Sequence, residues 1–385
     1  MKAVIRPMEP ADAPGLAKLR TLVYPHHPEA YYADWHDSVW SWLETHPLSE
    51  DMERWVVAAG DEVVGHLAAV PQYYRVNGER AVAHTPADYQ VLPQYGFQAL
   101  SLMRKFFRTV ENCVACDMVP AVITVETRMG AVIAGDLQYR AKLLDVSRLP
   151  SPSLDDARAL LGRDGEGPAE PPRPEDAVSN RPRASIPAPA KALMNRSLRV
   201  IDGTLGAAFV GNGLKVETVE TFDPSFDRLF DAVAGAIPCL AEKDAAFLRW
   251  RYGPGSPQHP VTVLGVRGGE TLLGYAVLRV TREGMDGYIL DLMTIPGRHD
   301  VARALLREAV RRFRRAGVQI LRYRFLDAPT APRSEDLWKL GFFPRDSRRN
   351  TLLVKFADPG LQGAAKDIDN WSYCVGDGES TFWVR

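Results

Sequence analysis

Cysteine is scarce in this chain, with only four among 385 residues. Cys113 and Cys116 form one C-x-x-C pair, while Cys239 and Cys374 lie far from it and no histidine cluster lies near the pair. This pattern excludes a disulfide framework. Two small apolar side chains at the end of a helix explain the pair better than a zinc or redox site. The sequence therefore predicts no bound metal.

An excess of charge and a long apolar run are also missing. The 47 basic side chains are balanced by 48 acidic ones, so no net field favours nucleic acid or an anionic membrane as a partner. No window approaches the run of roughly 18 apolar residues that a membrane span needs. The opening MKAVIRPMEPADA reaches a proline and an acidic residue before any apolar run of signal-peptide length. We therefore expect a cytoplasmic protein without a membrane or nucleic-acid partner.

Proline is concentrated in one region of the chain. Nine prolines fall between Pro150 and Pro189, where neither strand nor helix periodicity is present. We interpret this region as a mobile linker or a long surface loop, in which only SPSLDDARALLG has the pattern of a short helix. After it, AKALMNRSLRVIDGTLG predicts a helix that packs on a neighbour. The prediction is a domain at 1–150, a linker with a packing helix at 151–214, and a second domain at 215–385.

The two predicted domains share one pattern of residues. DYQVLPQYGFQALSLMRKFF begins at Asp88, and DLMTIPGRHDVARALLREAV begins 203 positions later at Asp291. Each has an aspartate, two residues, a β-branched residue, an aliphatic residue and a proline, followed by a loop and a helical pattern. The flanking segments repeat the order β-α-α-β-β-β-α-β-α-β in both halves. We therefore predict two related α/β domains that superpose Asp88 on Asp291 and Pro93 on Pro296.

Two further segments carry a resemblance to a known family. VLPQYGFQAL resembles the strand, proline, glycine-containing phosphate loop and helix of the GNAT acyltransferase superfamily, and EDLWKLGFFP resembles its last helix and strand. The chain resembles tandem members of bacterial type, and FLRWRY and NWSYCVGDGE are similar to members found with polysaccharide or natural-product genes. The resemblance implies an α/β (α+β) fold of two tandem GNAT-like domains. Each would be a mixed central sheet flanked by helices, and the proline-rich linker would join them.

The resemblance also implies where a coenzyme binds. In the family, the pyrophosphate of acetyl-CoA or another acyl-CoA binds backbone N–H groups at the start of the helix after the fourth strand. The usual pattern of Gln or Arg, two residues, Gly, one residue and Gly or Ala is incomplete here, because Gln94 and Ala99 each lie one residue from the required position relative to Gly96. The expected coenzyme-binding residues are Val91, Leu92, Gln94, Tyr95, Gly96, Phe97, Gln98 and Ala99.

The starts of the two corresponding helices differ in their capping residues. Between Tyr95 and Gln98 there is no Ser, Thr, Asp or Asn that could cap the first helix, which leaves its N–H groups for an anion. In the second half, Asp300 stands where an N-cap is expected, so its carboxylate should accept the N–H groups near Arg303 and repel a phosphate. We therefore predict that the N-terminal domain binds CoA and that the C-terminal domain is degenerate.

Catalytic groups are marked less clearly. The resemblance implies a carboxylate or water chain as the base near the fourth strand and a tyrosine on the last helix as the acid. Asp88 and His84 lie four residues apart on that strand, and therefore on one face, and are the candidate catalytic residues. Because Asp88 has a counterpart in Asp291, a shared structural role is equally open. No acid is assigned, since Trp338 occupies the tyrosine position in LWKLGF and RMGAVIAG contains no tyrosine.

Aromatic and histidine side chains near the N-terminus have plainer interpretations. Trp35, Trp40 and Trp42 lie near helical spacing, which favours core packing over a platform for sugar stacking. His36 and His46, together with the HHP segment that begins at His26, match no metal-ligand spacing and fit a substrate-side loop better.

Three functions fit these observations. The first is an acyl-CoA-dependent N-acyltransferase that moves an acetyl or other acyl group to the amine of a small molecule or sugar. The second is a Fem-like transferase that takes its acyl group from aminoacyl-tRNA, which the balanced charge and the lack of a helical-hairpin arm disfavour. The third is a non-catalytic module that keeps the fold without the site. Gly96 and the uncapped helix favour the first.

Overall fold

The structure, a computed structural model, describes residues 3–25, 33–148, 187–208, 213–345, 349–379 and 382. Most of the predicted linker, including SPSLDDARALLG, and the HHP segment lie outside the described residues. The helix predicted after the linker is present at Ala188–Ala208. Among the helices that the structure describes, none is both long and apolar enough to cross a membrane.

The first half follows the predicted order of strands and helices. Its strands are Val4–Pro7 (β1), Glu53–Ala59 (β2), Glu62–Val76 (β3), Glu79–Val91 (β4), Cys113–Asp117 (β5), Val132–Asp136 (β6) and Gln138–Leu143 (β7). Its helices are Ala13–Val23 (α1), Ala33–Leu43 (α2), Gly96–Thr109 (α3) and Pro120–Arg128 (α4). The proline that begins α4 suits a first turn, where its missing N–H has no helical partner to lose.

The second half repeats this order with short additions. Its strands are Val216–Val219 (β8), Cys239–Ala241 (β9), Thr262–Gly268 (β10), Thr271–Val280 (β11), Asp286–Thr294 (β12), Ile320–Phe325 (β13), Phe343–Pro344 (β14), Thr351–Lys355 (β15) and Trp371–Ser372 (β16). Its helices, with the one after the linker, are Ala188–Ala208 (α5), Pro224–Ala234 (α6), Ala245–Tyr252 (α7), His299–Arg315 (α8), Ser334–Lys339 (α9) and Pro359–Ala365 (α10). Asp223 and Asp244 cap α6 and α7 through their side chains.

The described strands form two mixed sheets. The nine-stranded first sheet has the order β1-β2-β3-β4-β5-β15-β6, with β9 beside β3 and β16 beside β9. The seven-stranded second sheet has the order β14-β7-β13-β12-β11-β10-β8. Most neighbours are antiparallel, but β4 and β5 are parallel in the first sheet, as are β12 and β13 in the second. The predicted fold class, mixed central sheets flanked by helices, is confirmed.

Each half contributes to the sheet of the other half, most clearly through β7 and β15. β7 leaves the first half and pairs with β13 and β14 in the second sheet. In return, β15 enters the first sheet between β5 and β6, where Leu353 lies between Ala115 and Ile133. The sequence TLLVK of β15 is nearly all buried, as a central strand requires. Because of this exchange, neither sheet is built from one half of the chain alone.

The register of the sheets repeats along with the sequence. Val91 pairs with Gly65 in the first sheet, and Thr294 pairs with Gly274 in the second. The offset between Val91 and Thr294 equals the one that relates the two aspartates of the sequence repeat. A shift in register interrupts β4 and β12 close to these aspartates.

A pair of tryptophans marks the local symmetry between the halves. Trp42 on α2 and Trp250 on α7 stack with their ring centroids 4.4 Å apart. The Trp42 Nε1 donates to the Trp250 carbonyl at 2.9 Å, and the Trp250 Nε1 donates to the Trp42 carbonyl at 3.4 Å. Reciprocal bonds of this kind are what an approximate two-fold axis produces. Trp40 and Trp42 are both buried, so the core-packing interpretation of these two is confirmed.

Helices cover both faces of the first sheet. Leu102, Met103 and Phe106 of α3 pack on one face, next to α4. Leu16 and Leu19 of α1 pack on the opposite face, next to α2. Side chains alternate along β4, so neighbouring residues of this strand point to these two different helical layers.

Candidate functional site

Two parallel strands part in the middle of the first sheet. β4 and β5 pair only at His84 and Cys113, and beyond that point β4 continues to Val91 and β5 to Asp117. Within the described residues, no other backbone segment pairs with β4 on that side. The strands therefore enclose a gap, the first wedge, whose open end adjoins the start of α3.

The first turn of α3 has no side-chain cap. The Leu92 N–H bonds to the Val64 carbonyl at 2.9 Å, and a tight turn at Pro93–Tyr95 then leads into the helix. No side chain accepts a hydrogen bond at the cap, and the first turn contains no acidic residue. The first N–H groups of a helix carry partial positive charge, so this end of α3 suits an anion.

Gly96 is not needed for an unusual backbone conformation. Its φ of −51° is helical, which any residue can adopt. A Cβ at this position would meet no atom within 4 Å, so the surface above Gly96 is open. The glycine therefore leaves room beside the backbone and is not required by the fold.

The predicted coenzyme-binding residues lie together along the end of β4 and the start of α3. Those half-buried against the core are Val91, Leu92, Tyr95, Gln98 and Ala99, and those exposed are Gln94, Gly96 and Phe97. Phe97 is 79% exposed, which is unusual for so large an apolar side chain. Leu100 on α3 and Met118 and Val119 before α4 are exposed as well. Together they give the α3–α4 side of the first wedge an apolar rim.

The corresponding gap in the second sheet, the second wedge, is filled by the chain. β12 and β13 pair as far as Ile289 and Tyr323 and then part. Segment 371–378 enters between them, where Phe325 forms an isolated bridge with Cys374. The Leu326 N–H also donates to the carbonyl of Tyr373 at 2.8 Å. Backbone therefore takes the place between β12 and β13 that is open between β4 and β5.

The fit of this segment against β12 is close. A Cβ added to Gly376 would lie 2.6 Å from the Leu290 carbonyl oxygen and would collide with the Tyr252 hydroxyl. The buried Arg251 guanidinium donates to the carbonyls of Gly376 and Gly378 at 2.7 and 2.9 Å. The second wedge is therefore closed by a segment with specific contacts.

The structure corrects the predicted cap of α8. The N-cap residue is Arg298, and Asp300 is the second residue of the helix. The Asp300 carboxylate does not accept N–H groups near Arg303 but binds the Arg298 guanidinium at 2.8 and 2.9 Å. That hydrogen bond is the main reason why the pKa of Asp300 is lowered. The cap prediction was wrong because the arginine two residues earlier competes for the carboxylate.

No protein-family model and no curated protein matches this chain. Solved structures do match it along most of its length. Saccharomyces cerevisiae N-myristoyltransferase with bound myristoyl-CoA has a TM-score of 0.56 at 10% identity, over 96% of this chain and 85% of the other. A GCN5-related N-acetyltransferase from Anabaena variabilis has a TM-score of 0.54 at 12% identity, over 93% and 73%. One from Kribbella flavida has a TM-score of 0.54 at 10% identity, over 94% and 74%.

The chain has the GNAT fold. The likeness covers both sheets, so the sequence repeat corresponds to two GNAT-like domains that exchange strands. At identities this low the likeness concerns the fold, and chemistry has to be judged from the side chains at the two wedges.

Asp88 lies at the edge of the first wedge, but its side chain faces helices α1 and α2. Its carboxylate is fully buried, with Arg20 at 2.5 Å, His66 Nδ1 at 3.2 Å and His36 Nε2 at 3.5 Å. Burial alone would raise the pKa of Asp88, but hydrogen bonds from the two histidines and the charge of Arg20 hold it well below its ordinary value. A carboxylate so strongly stabilised as an anion is a weak base.

Asp291 has an equivalent arrangement in the second half. The Lys243 ammonium bridges Asp291 and Asp377 at 2.9 and 2.8 Å, and Tyr275 donates to Asp291 at 2.9 Å. Tyr275 follows Gly274 as His66 follows Gly65, so both aspartates are met by the residue after the matching glycine. A buried, charge-paired aspartate at the register shift is thus a feature of both halves, which favours the structural interpretation of Asp88.

His84, the other candidate catalytic residue, lies where β4 and β5 part. Its Nε2 is 3.1 Å from the Asp51 carbonyl oxygen, and its buried Nδ1 has no hydrogen-bond partner among the residues that the structure describes. Burial lowers the pKa of His84, which keeps the imidazole neutral near neutral pH. If Nε2 carries the proton toward Asp51, Nδ1 is the nitrogen that can accept one.

The structure reveals one acid that the sequence analysis missed. Glu126 on α4 is fully buried, and neither carboxylate oxygen has a hydrogen-bond partner within the described part of the chain. A sequence signal existed, because VETRMGA and DLWKLGF both end a helix with glycine followed by an apolar residue. Aligning Gly130 with Gly341 would have drawn attention to the acid four residues earlier.

A cleft of about 510 Å³ lies beside α2 on the α1–α2 side of the first sheet. Arg54 lines it and lies over the Trp40 ring, with its Cζ 3.6 Å from the centroid. The polar side chains that line the cleft are Glu9, His36, Asp37, Ser41, Glu44 and Arg54. Three of these are acidic, and His36 connects the cleft to the Asp88 carboxylate.

Proposed function

We propose that this protein is an acyl-CoA-dependent N-acyltransferase whose first half binds the coenzyme. The pyrophosphate binds at the first turn of α3, and the thioester enters the first wedge. The observation that carries this proposal is the contrast between the wedges: one opens at an uncapped helix, and the other is filled by segment 371–378.

The surroundings of the first wedge suit the parts of an acyl-CoA. The N–H groups beside Gly96 offer donors and a favourable dipole to the pyrophosphate. Phe97, Leu100, Met118 and Val119 offer an exposed apolar rim to the pantetheine and the acyl chain. Since no backbone segment of the described residues pairs with this edge of β4, backbone groups there could bond to the amides of the pantetheine.

The acceptor is proposed to be the amine of a small molecule or sugar that approaches from the α1–α2 side. The acidic residues Glu9, Asp37 and Glu44 of the cleft there favour a cationic amine. His84, with one ring nitrogen available, is the better of the two predicted residues to take a proton from it. Asp88 is assigned a positioning role, since its charge is already neutralised by Arg20.

In this proposal the second half is a scaffold. It contributes β15 to the first sheet, and its own wedge is occupied by chain. An acyl-CoA could enter the second wedge only by expelling segment 371–378 and breaking the contacts of Arg251 with it.

The test is calorimetric titration with acetyl-, malonyl- and myristoyl-coenzyme A. Gly96→Val should weaken binding at least about 10-fold, because the side chain would lie between the backbone and the pyrophosphate. Gly363→Val is a matched control, since Gly363 is also an exposed helical glycine with no atom within 4 Å of an added Cβ. It should bind as the wild type does. Normal binding by Gly96→Val, or no binding by the wild type, would contradict the proposal.

A further inference from the structure

Glu126 is a buried acid for which neither carboxylate oxygen has a hydrogen-bond partner among the described residues. A carboxyl group without a hydrogen-bond partner in the interior destabilises a fold, and such groups are rare in proteins. Glu126 is 0% exposed and lies on α4, on the side that faces the core between α4 and the first sheet. Its helical neighbours Val122, Ile123 and Val125 pack against the same apolar core as Tyr89 and Cys113.

The second half provides an internal control for this position. α4 and α9 end alike: the Ala131 N–H donates to the Glu126 carbonyl, and the Phe342 N–H donates to the Leu337 carbonyl, each at the end of a turn containing a left-handed glycine. Glu126 is therefore the structural equivalent of Leu337. Since Leu337 is fully buried, an apolar side chain satisfies the fold at this position. The first half has an acid where the fold does not need one.

Glu126 faces the point at which β4 and β5 part. Tyr89 follows Asp88 on β4 and points to the α3–α4 side, and Cys113 is the residue of β5 that pairs with β4. Burial, and then the charge of Glu126, raise the pKa of both Tyr89 and Cys113, as expected if the carboxyl lies between the two strands. A thioester that enters the first wedge from α3 would reach this point.

Burial, and then two nearby acidic side chains, favour the protonated form of Glu126. Burial raises the pKa of Glu126 to about 8, and Asp117 of β5 and Glu379 of the C-terminal segment add to the effect. The nearby cation of β15, Lys355, is directed at the Phe107 carbonyl and ring instead. Near neutral pH, Glu126 is a neutral carboxylic acid with one O–H to donate.

We propose that Glu126 is the catalytic acid of the first half and protonates the coenzyme sulfur when the thioester breaks. This inference rests on the proposed function, because it requires an acyl-CoA in the first wedge. It supplies the proton donor for which the sequence offered no tyrosine.

The reaction balances with this single proton donor. The lone pair of the neutral acceptor amine forms a C–N bond with the acyl carbonyl carbon. The C–S bond then breaks, and its electron pair leaves on sulfur, which takes the Glu126 proton and departs as the thiol of coenzyme A. His84 takes the surplus proton of the amine nitrogen and passes it to water, and water returns a proton to the Glu126 carboxylate. An acid whose pKa lies near the working pH is efficient in such a transfer.

The first test is infrared difference spectroscopy, which does not depend on knowing the acceptor. At neutral pH the wild type should show the carbonyl band of a protonated carboxylic acid that is missing in Glu126→Leu, the variant that copies Leu337. The band should disappear as the pH rises through about 8. It should shift when acetyl-coenzyme A or myristoyl-coenzyme A is added, because the O–H would then bond to the thioester.

The second test is the release of coenzyme A thiol from the same two acyl-coenzymes in the presence of a panel of amines. Glu126→Leu and Glu126→Gln should lower kcat about 100-fold and leave KM for the acyl-coenzyme nearly unchanged. Glu126→Asp, which keeps an acid, should recover part of kcat. The alkaline loss of wild-type activity near the pKa of Glu126 should be absent from the two neutral variants.

The outcomes separate this inference from the function on which it rests. If the wild type binds no acyl-coenzyme, both are overturned. If it binds one while the Glu126 band is absent at neutral pH or is unmoved by the ligand, only the role of Glu126 is overturned. A Glu126→Leu variant that retains the wild-type kcat would likewise overturn it and leave coenzyme binding intact.

Discussion

Each half of this chain has a pair of parallel strands that diverge. The gap between the strands is filled by backbone in the second half and is open in the described part of the first half. Between β12 and β13 lies segment 371–378, held by backbone hydrogen bonds and by Arg251. Between β4 and β5, no backbone segment of the described residues pairs with the edge of β4 beyond His84. A gap between strands exposes polar backbone groups that need hydrogen bonds. The second half satisfies them with its own chain, and we propose that the first half does so with a ligand.

Buried charges differ between the halves in a related way. Both contain an aspartate at the register shift with a cation against it, Arg20 for Asp88 and Lys243 for Asp291. Among the described residues, Glu126 of the first half is the buried acid whose two carboxylate oxygens both lack a hydrogen-bond partner, and Leu337 occupies the equivalent position in the second half. We infer that what the halves share serves the fold, and we propose that what distinguishes them marks the site. Four changes test this division.

The largest effect is expected from Glu126→Leu, measured by chemical denaturation as a function of pH. The folded state keeps the Glu126 proton until a pKa of about 8, whereas the unfolded chain releases it near 4.5. Wild-type stability contributed by this group is thus complete below pH 4.5 and is lost as the pH rises through the folded pKa. Relative to the wild type, the free energy of unfolding of Glu126→Leu should therefore rise between these two pKa values, by at most about 5 kcal/mol. A stability difference independent of pH would contradict a raised pKa.

Lys243→Met should come next, because it removes the cation between two buried carboxylates. Breaking such a buried pair costs about 3 to 5 kcal/mol, measured by urea denaturation. The loss should be relieved at acidic pH, since protonation of Asp377, whose pKa burial raises to about 6, removes the repulsion between the two carboxylates. Lys339→Met is a control, because Lys339 forms an exposed pair with Glu335 at 3.9 Å and should contribute less than about 1 kcal/mol. Equal effects of the two changes would show that the buried cluster is not a stabilising feature.

Gly376→Val addresses the filled wedge directly. The new side chain would collide with the Leu290 carbonyl and the Tyr252 hydroxyl, and overpacking of this kind costs about 1 to 3 kcal/mol. Gly96→Val places the same side chain at the open wedge and should leave the free energy of unfolding almost unchanged. Thermal unfolding of the two variants in the absence of coenzyme compares them. If both lose stability equally, the first wedge is not open as described.

Local sequence patterns predicted much of the fold. The spacing from Asp88 to Asp291 identified the repeat, because equivalent strands keep their register and therefore their aspartates. The Trp40 and Trp42 side chains lie in the core, as predicted. Such features depend on neighbours that are close in sequence.

The features that the sequence did not reveal depend on distant contacts. Nothing in TLLVK indicates that β15 crosses to the other sheet, since a central strand reads the same in either one. Segment 371–378 fills its wedge through contacts with Arg251 and Leu290, which lie far away in the chain. Glu126 has the ordinary spacing of a helical acid, and only the packing around α4 shows that it is buried. The N-cap was wrongly assigned to Asp300 because the sequence does not show that the Arg298 guanidinium binds this carboxylate.

Asp300→Ala should give the smallest effect and sharpens the comparison of the two helix starts. The Asp300 carboxylate is paired mainly with the partly exposed Arg298 and is not at the N-cap position, so its removal should change the free energy of unfolding by less than about 0.5 kcal/mol. Asp244→Ala is the matched change at a true N-cap, where the carboxylate accepts the Phe247 N–H at 2.6 Å, and should cost about 1 kcal/mol. Both variants should bind acetyl-coenzyme A like the wild type, because neither residue lies at the first wedge. If Asp300→Ala costs as much as Asp244→Ala, or if it creates a second coenzyme site, then Asp300 and not segment 371–378 is what closes the second half to coenzyme.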